Sequence, residues 1–165
     1  MLRMYTPLTA TRRRPSRLVP FAMVICVTVA GCGAPQTQYT PEQAERARTT
    51  IETVQIREIQ QGRGEPAEQG RRLVVHYSGW LYDSATPGHR GQSFDSSRTA
   101  GRPYEFVLGA AQVIPGWERG VAGMKEGGRR ELTIPARLAY GPQGSPPSIP
   151  PDATLVFEIE LMDVR

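Results

Sequence analysis

The sequence predicts a domain of the α+β class, in which an antiparallel β-sheet surrounds one short helix. The helix is indicated by the stretch VIPGWERGVAGM at residues 113–124, whose apolar residues recur at helical spacing. The strands are indicated by segments on both sides of it that alternate apolar and polar residues. A helix this short is not stable alone, so we expect the strands to wrap around it.

The helix is expected to begin at Pro115, because proline has its φ fixed near the helical value and lacks an N–H that the first turn would leave unpaired. Pro115 also disfavours a helical backbone at Ile114. Gly127 and Gly128 are expected to end the helix. Its apolar stripe consists of Ile114, Trp117, Val121 and Met124. We expect Trp117 to form the floor of a pocket between sheet and helix.

The alternating segments predict strands at 51–59, 73–82, 93–97, 104–108, 129–135 and 154–164. The last segment is long and regular, which favours a central position in the sheet. It places Leu155, Phe157, Ile159 and Leu161 on one side and Glu158 and Glu160 on the other. The segment from Pro142 to Pro151 contains five prolines and is expected to form a rigid loop.

The positive charge of the chain belongs to its first 31 residues. They contain five arginines and no acid, whereas residues 32–165 contain 15 Lys and Arg against 16 Asp and Glu. A domain this close to neutral argues against binding to nucleic acid. The two cysteines, Cys26 and Cys32, lie outside the predicted domain, so no disulfide or thiol nucleophile is expected there. Two separated histidines, His76 and His89, indicate no metal site.

Residues 1–31 have the three-part organisation of a secretory signal peptide. A basic region at 12–17 precedes a 13-residue apolar run, Leu18 to Ala30, which is short for a membrane span of about 20 residues. The run ends in Val29-Ala30-Gly31-Cys32, which resembles the bacterial lipobox. The resemblance implies diacylglyceryl transfer to the Cys32 thiol and cleavage before it. An ordinary signal peptide with a chance cysteine and an uncleaved anchor are the alternatives.

The polar segment that follows predicts a flexible tether over residues 32–49 and a folded domain over 50–165. Within the tether, Pro41 to Arg48 is expected to form either one or two helical turns or plain linker. The protein is therefore expected to be exported and lipid-anchored at the bacterial cell envelope, on its periplasmic or outer face.

Several blocks recur in an order and spacing that match one family. They are VVHYSG at 74–79, FDSSR at 94–98, VLG at 107–109, VIPGW at 113–117, AYG at 139–141 and IPPDATLVFE at 149–158. Together they resemble the FKBP-type peptidyl-prolyl cis–trans isomerases, over roughly residues 51–165. The resemblance implies a twisted antiparallel sheet curled around the helix, and catalysis of rotation about Xaa-Pro bonds without cofactor or metal.

The resemblance also implies the site residues. The implied catalytic set is Tyr77, Phe94, Asp95, Ile114, Trp117, Tyr140 and Phe157, and the implied substrate-binding set is Tyr104, Phe106, Val113 and Ile149. Trp117 would lie beneath the substrate proline ring, and the backbone N–H of Ile114 would hold a peptide carbonyl. Asp95 is expected to orient neighbouring tyrosine hydroxyls or the twisted amide, to begin a turn with Ser96 and Ser97, or to do both.

Three departures from the family's pattern concern the surroundings of this pocket. The turn from Asp83 to Gln92 is several residues longer than in small members, and it is expected either over the pocket mouth or in solvent. Ser148 replaces a residue that is usually apolar, and Ala100 stands where a basic residue is common. These differences bear on substrate preference and inhibitor affinity.

The resemblance implies an isomerase that assists folding of exported proteins at Xaa-Pro bonds. Its partners would be proline-containing polypeptides and macrolide inhibitors, the membrane would be reached through the lipid on Cys32, and a monomer is expected. The alternatives are a chaperone or adaptor that binds proline-containing segments with little turnover, and a purely structural domain.

The first testable prediction concerns the anchor. We expect the mature protein extracted from membranes to begin at Cys32 and to carry a diacylglyceryl group, as measured by mass spectrometry of its N-terminal peptide. Cys32→Ala should abolish this mass, whereas Cys26→Ala, a matched change within the leader, should preserve it. A lipid-free protein that retains Met1 would contradict the prediction.

Overall fold

The predicted α+β class is confirmed by residues 38–165, the part of the chain that the computed structural model describes. The predicted signal peptide and Cys32 lie outside the described residues. The α-helices are α1 (Pro41–Arg46) and α2 (Pro115–Val121). The strands are β1 (Gln55–Gln60), β2 (Arg72–Tyr82), β3 (Arg90–Ser96), β4 (Tyr104–Val107), β5 (Arg129–Ile134) and β6 (Leu155–Val164). Short 3₁₀ helices occupy Pro87–His89, Ala136–Leu138 and Gly141–Gln143.

All strand pairs are antiparallel, and the main order is β1-β5-β6-β2-β3. β3 and β4 share one side of β2: β4 pairs with its first half from Arg72 to Val75, and β3 pairs with its second half from Ser78 to Tyr82. The central position predicted for the last strand is confirmed, since β6 lies between β5 and β2. Its inward side chains are almost fully buried: Leu155, Phe157, Ile159 and Leu161.

α2 packs on β5 through two glycines. A Cβ at Gly116 would lie 2.2 Å from the Ile134 side chain, and one at Gly120 would lie 2.4 Å from the Leu132 side chain. Only hydrogen fits at either position without displacing these core residues. The helix therefore lies close against the sheet and buries Trp117, which is 4% exposed.

The prediction that Gly127 and Gly128 end this helix is wrong. α2 ends at Val121, because Ala122 has an extended backbone (φ −53°, ψ 132°) and Gly123 adopts a left-handed φ of +70°. A left-handed glycine at this place is a common way for helices to stop. Gly123 then donates to the Ala67 carbonyl, and Gly127 donates to the Leu161 carbonyl.

The first predicted strand begins later than the sequence indicates and lies on the surface. β1 pairs with β5 alone, and all six of its residues are exposed, with Ile56 50% exposed. Both faces of β1 are exposed, so neither face requires apolar residues, and this accounts for the weak alternation of the segment.

The predicted tether does not hold for residues 38–49, which pack on the domain. Helix α1 begins with a capping box between Thr40 and Gln43. Ala47 is fully buried, and its carbonyl accepts a hydrogen bond of 2.7 Å from the Thr154 N–H. Tyr39 also packs against the core. The polar sequence concealed these contacts, because a single alanine and a single tyrosine make most of the apolar anchorage.

The long turn is also shorter than predicted, since β3 already begins at Arg90. The Arg90 guanidinium lies 4.6 Å from the centre of the Trp80 ring and donates to Glu131 and Glu158. Burial raises the pKa of Glu131, but hydrogen bonds and charge from Arg90 and Arg57 outweigh burial and hold that pKa below its usual value. These contacts hold the turn on the outer face of the sheet, opposite the face that packs on α2.

Within residues 38–165, no helix is long and apolar enough to cross a lipid bilayer. The same part of the chain holds no cluster of three His, Cys, Asp or Glu residues placed to bind a metal ion.

The close approach of α2 gives a stability prediction of unusual sign. Alanine normally stabilises a helix interior by about 1 kcal/mol relative to glycine. Gly120→Ala should instead lower the free energy of unfolding by about 1–3 kcal/mol, because its Cβ would overlap Leu132. Chemical unfolding of the full-length protein measures the change. Arg119→Ala, an exposed position on the same helix, is the control and should change stability by less than about 0.5 kcal/mol. A stabilised Gly120→Ala variant would refute the packing argument.

Candidate active site

A cavity of about 500 Å³ lies between the sheet and the start of α2. Most of its lining residues are those predicted from the sequence: Tyr77, Phe94, Asp95, Tyr104, Val113, Ile114, Trp117, Tyr140 and Phe157. They come from β2, β3, β4, β6, α2 and the loops before α2 and after β5. Residues far apart in the chain therefore meet at one place, because β2 and β6 are neighbours at the centre of the sheet.

Trp117 is surrounded by aromatic rings that meet it nearly edge-on. The Tyr77 ring centroid lies 5.1 Å from that of Trp117 at 79°, and the Phe157 centroid lies 5.3 Å away at 89°. Tyr104 completes this arrangement at 6.3 Å. Edge-to-face contacts of this kind are favourable beyond the area they bury. The contacts fix the orientation of the indole that forms the floor.

Phe94 and Phe157 form a second edge-to-face pair, with centroids 5.5 Å apart. They cross the sheet beside Gly79, where a Cβ would lie 2.6 Å from the Phe94 ring and 2.9 Å from the Phe157 ring. A glycine is required at this position so that both rings can approach the backbone of β2. The missing side chain thereby makes room for one wall of the cavity.

One hydrogen bond joins two walls of the cavity: the Tyr77 hydroxyl donates to Asp95 Oδ2 at 2.6 Å. Burial raises the pKa of Tyr77, and the hydrogen bond to Asp95 and its negative charge raise it further. Burial also raises the pKa of Tyr140, and the Asp95 charge adds to that effect. Both phenols therefore keep their protons at neutral pH and act as hydrogen-bond donors.

Asp95 is held in place by the serines that follow it. The Ser97 hydroxyl accepts from the Tyr77 N–H at 2.9 Å, and the Ser96 hydroxyl donates to the Tyr77 carbonyl at 3.1 Å. The turn after β3 is closed by bonds from Ala100 N–H to Ser96 and from Arg102 N–H to Ser97. Asp95 itself remains in the strand, and its carboxylate faces Tyr77. The Asp95 carboxylate thus accepts from the Tyr77 hydroxyl, while Ser96 and Ser97 make the turn.

Ile114 presents a backbone donor at the edge of the cavity. It is the N-cap of α2 with an extended backbone (φ −59°, ψ 148°), and its carbonyl accepts from Trp117 and Glu118. Among residues 38–165 its own N–H donates no hydrogen bond. Pro115 keeps this N–H outside the helix, as the sequence predicts. The donor is therefore available to a ligand in the cavity.

Two predicted residues do not line the cavity. Phe106 is 1% exposed and packs behind Trp117 at 5.9 Å between ring centroids, and Ile149 is 4% exposed within the core. They support the lining from behind, because each lies one layer further into the core.

Ala111 and Gln112, by contrast, line the cavity and are not predicted from the sequence. The Gln112 side chain accepts from the Val107 N–H at 2.8 Å, and Ala111 has a left-handed φ of +53°. The feature of the sequence that could have indicated both residues is their position in the same short loop as Val113 and Ile114.

The departures around the pocket have separate outcomes. The residues of the long turn are absent from the cavity lining, and so is Ser148. The Ser148 hydroxyl instead donates to Gln38 Oε1 at 2.8 Å. Asp95 forms no ion pair within the described residues, and Tyr77 is its hydrogen-bond partner. The pocket edge is therefore less polar than Ser148 alone suggests.

The arrangement suits a small apolar ring with peptide carbonyls around it. Aromatic faces and edges make the floor and walls, while the Ile114 N–H and the Tyr140 hydroxyl provide donors near the rim. The lining residues include no serine, cysteine or histidine placed as an activated nucleophile. The chemistry that fits is binding and conformational change rather than bond cleavage.

Comparisons with known proteins agree with this geometry. Residues 63–162 match the family model for the FKBP-type peptidyl-prolyl cis–trans isomerase. An FK506-binding protein of Neisseria meningitidis serogroup A is 47% identical over 109 residues, which cover 66% of this chain and 94% of that protein. The peptidyl-prolyl cis–trans isomerase FPR2 of Saccharomyces cerevisiae is 50% identical over 99 residues, or 60% of this chain and 69% of that protein.

Among solved structures, that of FkpA from Escherichia coli superposes with a TM-score of 0.59 at 37% sequence identity. The match covers 75% of this chain and 56% of that structure.

The raised pKa of Tyr77 predicts how stability depends on pH. The unfolded chain loses a tyrosine proton near pH 10, whereas the folded state keeps the Tyr77 proton to higher pH. This contribution to stability is therefore complete below about pH 10 and declines above it. Denaturant unfolding at about pH 8 and about pH 11 should show a larger loss for wild type than for Tyr77→Phe. Equal losses in the two proteins would contradict the assignment.

Proposed function

This chain belongs to the FKBP-type peptidyl-prolyl cis–trans isomerases, and from that premise we propose that it accelerates rotation about Xaa-Pro bonds in exported proteins while a lipid on Cys32 holds it at the cell envelope. The observation that carries the catalytic part is the aromatic cavity with Trp117 as its floor, in which a proline ring fits. Its clients are proline-containing polypeptides.

The aromatic lining favours the transition state because of how an amide changes during rotation. Planar amides are charge-separated by resonance, and the barrier of about 18–20 kcal/mol is the cost of breaking that resonance. The twisted amide is less dipolar, so a poorly hydrated pocket disfavours the planar form more. The rings around Trp117 exclude water from one side of the substrate amide, and this exclusion is the desolvation proposed here.

Hydrogen bonds at the rim add positioning to desolvation. The Ile114 N–H holds the carbonyl beyond the proline, and the Tyr140 hydroxyl holds another carbonyl of the peptide. Asp95 orients the Tyr77 hydroxyl through the bond of 2.6 Å. Each 1.4 kcal/mol of preferential binding to the transition state gives about a tenfold rate increase, so a few such contacts account for useful catalysis.

The packed N-terminal segment limits how far the domain reaches from a lipid on Cys32. Gln38 follows Cys32 by six residues and is already bound to the domain. An extended chain of that length spans at most about 20 Å, whereas a tether through Thr49 would span about 60 Å. An anchored protein would therefore keep the loop that Gln38 contacts, at residues 147–148, near the bilayer surface.

The FK506-binding proteins among its relatives support a second property of the same cavity. We propose that a macrolide of the FK506 class occupies the Trp117 pocket and competes with proline-containing peptides. Binding of a macrolide without measurable isomerisation would favour the alternative, a chaperone or adaptor that binds proline-containing segments with little turnover.

The experiment is a proline-peptide isomerisation assay on the full-length protein. Trp117→Ala and Phe94→Ala should each lower kcat/KM by about tenfold or more, since each removes an aromatic wall. Trp80→Ala is the matched control, because Trp80 packs under Arg90 on the outer face of the sheet. It should retain activity close to that of wild type.

Two results would count against the proposal. A wild-type rate no faster than that of buffer would exclude the enzyme. Equal losses in Trp117→Ala and Trp80→Ala would show that the loss reports on general stability rather than on the pocket.

A further inference from the structure

We propose that Gln38 is a positioning residue, which ties the loop after Tyr140 to strand β3 and thereby sets the shape of the pocket. We call residues 141–153 the Tyr140 loop, since they follow that side chain directly. The inference rests on the proposed isomerase function and adds to it a residue that lies outside the region matched by the family model, residues 63–162.

Gln38 uses its backbone and its side chain to join the two elements. Its N–H donates to the Pro147 carbonyl at 2.8 Å, and its side-chain Oε1 accepts from the Ser148 hydroxyl at 2.8 Å. Its carbonyl accepts a short hydrogen bond from the Gln92 side chain of β3. One residue therefore contacts the tip of the Tyr140 loop and the sheet at the same time.

The same N-terminal segment also holds the far end of this loop. The Thr154 N–H donates to the Ala47 carbonyl at 2.7 Å, and the hydroxyls of Thr49 and Thr154 lie 2.8 Å apart. Inside the loop, Ser145 and Ile149 exchange two backbone hydrogen bonds of 2.9 Å. The loop is thus a closed unit that is fixed from outside at its tip and at its end.

Both elements joined by Gln38 carry walls of the cavity. Gln92 lies two residues before Phe94 and three before Asp95 in β3, and the Tyr140 loop directly follows Tyr140. All three of these wall residues line the cavity. A contact that fixes the loop relative to β3 therefore fixes the position of Tyr140 relative to Phe94 and Asp95.

This arrangement also explains the polar residue at position 148. An apolar side chain there has no hydrogen to donate to Gln38 Oε1, whereas the serine hydroxyl does. Ser148 is absent from the cavity lining, so its hydroxyl serves the contact with the N-terminal segment and not the substrate.

The test compares variants of the full-length protein in the same proline-peptide assay. Gln38→Ala and Ser148→Ala each remove the side-chain hydrogen bond between these two residues, and Gln92→Ala removes the bond from β3 to the Gln38 carbonyl. Each change should raise KM by about twofold to tenfold, the range that one hydrogen bond of ordinary net strength gives. kcat should change less than KM, because these residues lie outside the cavity lining and act only through the position of the loop. The double variant of Gln38→Ala and Ser148→Ala should be no worse than either single variant, since both remove the same bond.

Two further variants separate positioning from general destabilisation. Gln38→Glu keeps an oxygen that accepts from Ser148 and should restore KM. Gln43→Ala removes a glutamine from the same segment, whose side chain accepts from the Thr40 N–H at the start of α1 and, within residues 38–165, makes no hydrogen bond to the loop. It should leave KM unchanged. Thermal unfolding of every variant shows whether any change in KM follows stability.

Amide hydrogen exchange gives a result that does not depend on activity. The N–H groups of Ser145, Ser148 and Ile149 should exchange faster in Gln38→Ala than in wild type or Gln43→Ala. Unchanged exchange would overturn the proposed positioning role of Gln38 even if the wild type proved inactive. Unchanged KM in Gln38→Ala and Ser148→Ala, alongside an active wild type, would overturn it while leaving the proposed function in place.

Discussion

The close packing of helix α2 against strand β5 is the constraint on which the pocket depends. Gly116 and Gly120 bring the helix backbone against Ile134 and Leu132, where no side-chain carbon fits. This approach places Trp117 under the inner rings of the sheet, and the edge-to-face contacts then fix its orientation. A larger residue at either glycine would lift the helix and move the floor of the cavity. The same contact therefore serves stability and the site.

The polar groups of the site lie within an aromatic lining that affects their pKa values. Burial and the nearby Asp95 charge raise the pKa of Tyr77 and of Tyr140, so both hydroxyls remain donors across neutral pH. Asp95 is an acceptor for Tyr77, and the backbone around it is fixed by Ser96 and Ser97. The site thus combines a few fixed polar groups with a surface that excludes water, which suits a reaction without covalent chemistry.

A group of ion-paired residues lies on the face of the sheet opposite the cavity. Arg90 joins Glu131 and Glu158 there, and it covers Trp80. The long turn precedes Arg90 and lies on this face of the sheet. Its residues are absent from the cavity lining. Successive side chains of a strand point to opposite faces of the sheet. The aromatic residues of the cavity and the ion pairs of the outer face therefore occupy the same strands without contact.

The sequence by itself determined the α+β class and the start of α2 at Pro115, because these follow from local periodicity and from proline's fixed φ. Most residues of the cavity were implied by the resemblance of the ordered motifs to the FKBP-type family. Only the tertiary structure decided that α2 ends at Val121 and that Phe106 and Ile149 lie behind the lining. It alone placed Ala111 and Gln112 in the cavity and residues 38–49 on the domain. The physical reason is that burial and hydrogen bonding between distant segments depend on which strands become neighbours. A polar segment such as Gln38 to Thr49 carries no periodic signal of the surface it will meet.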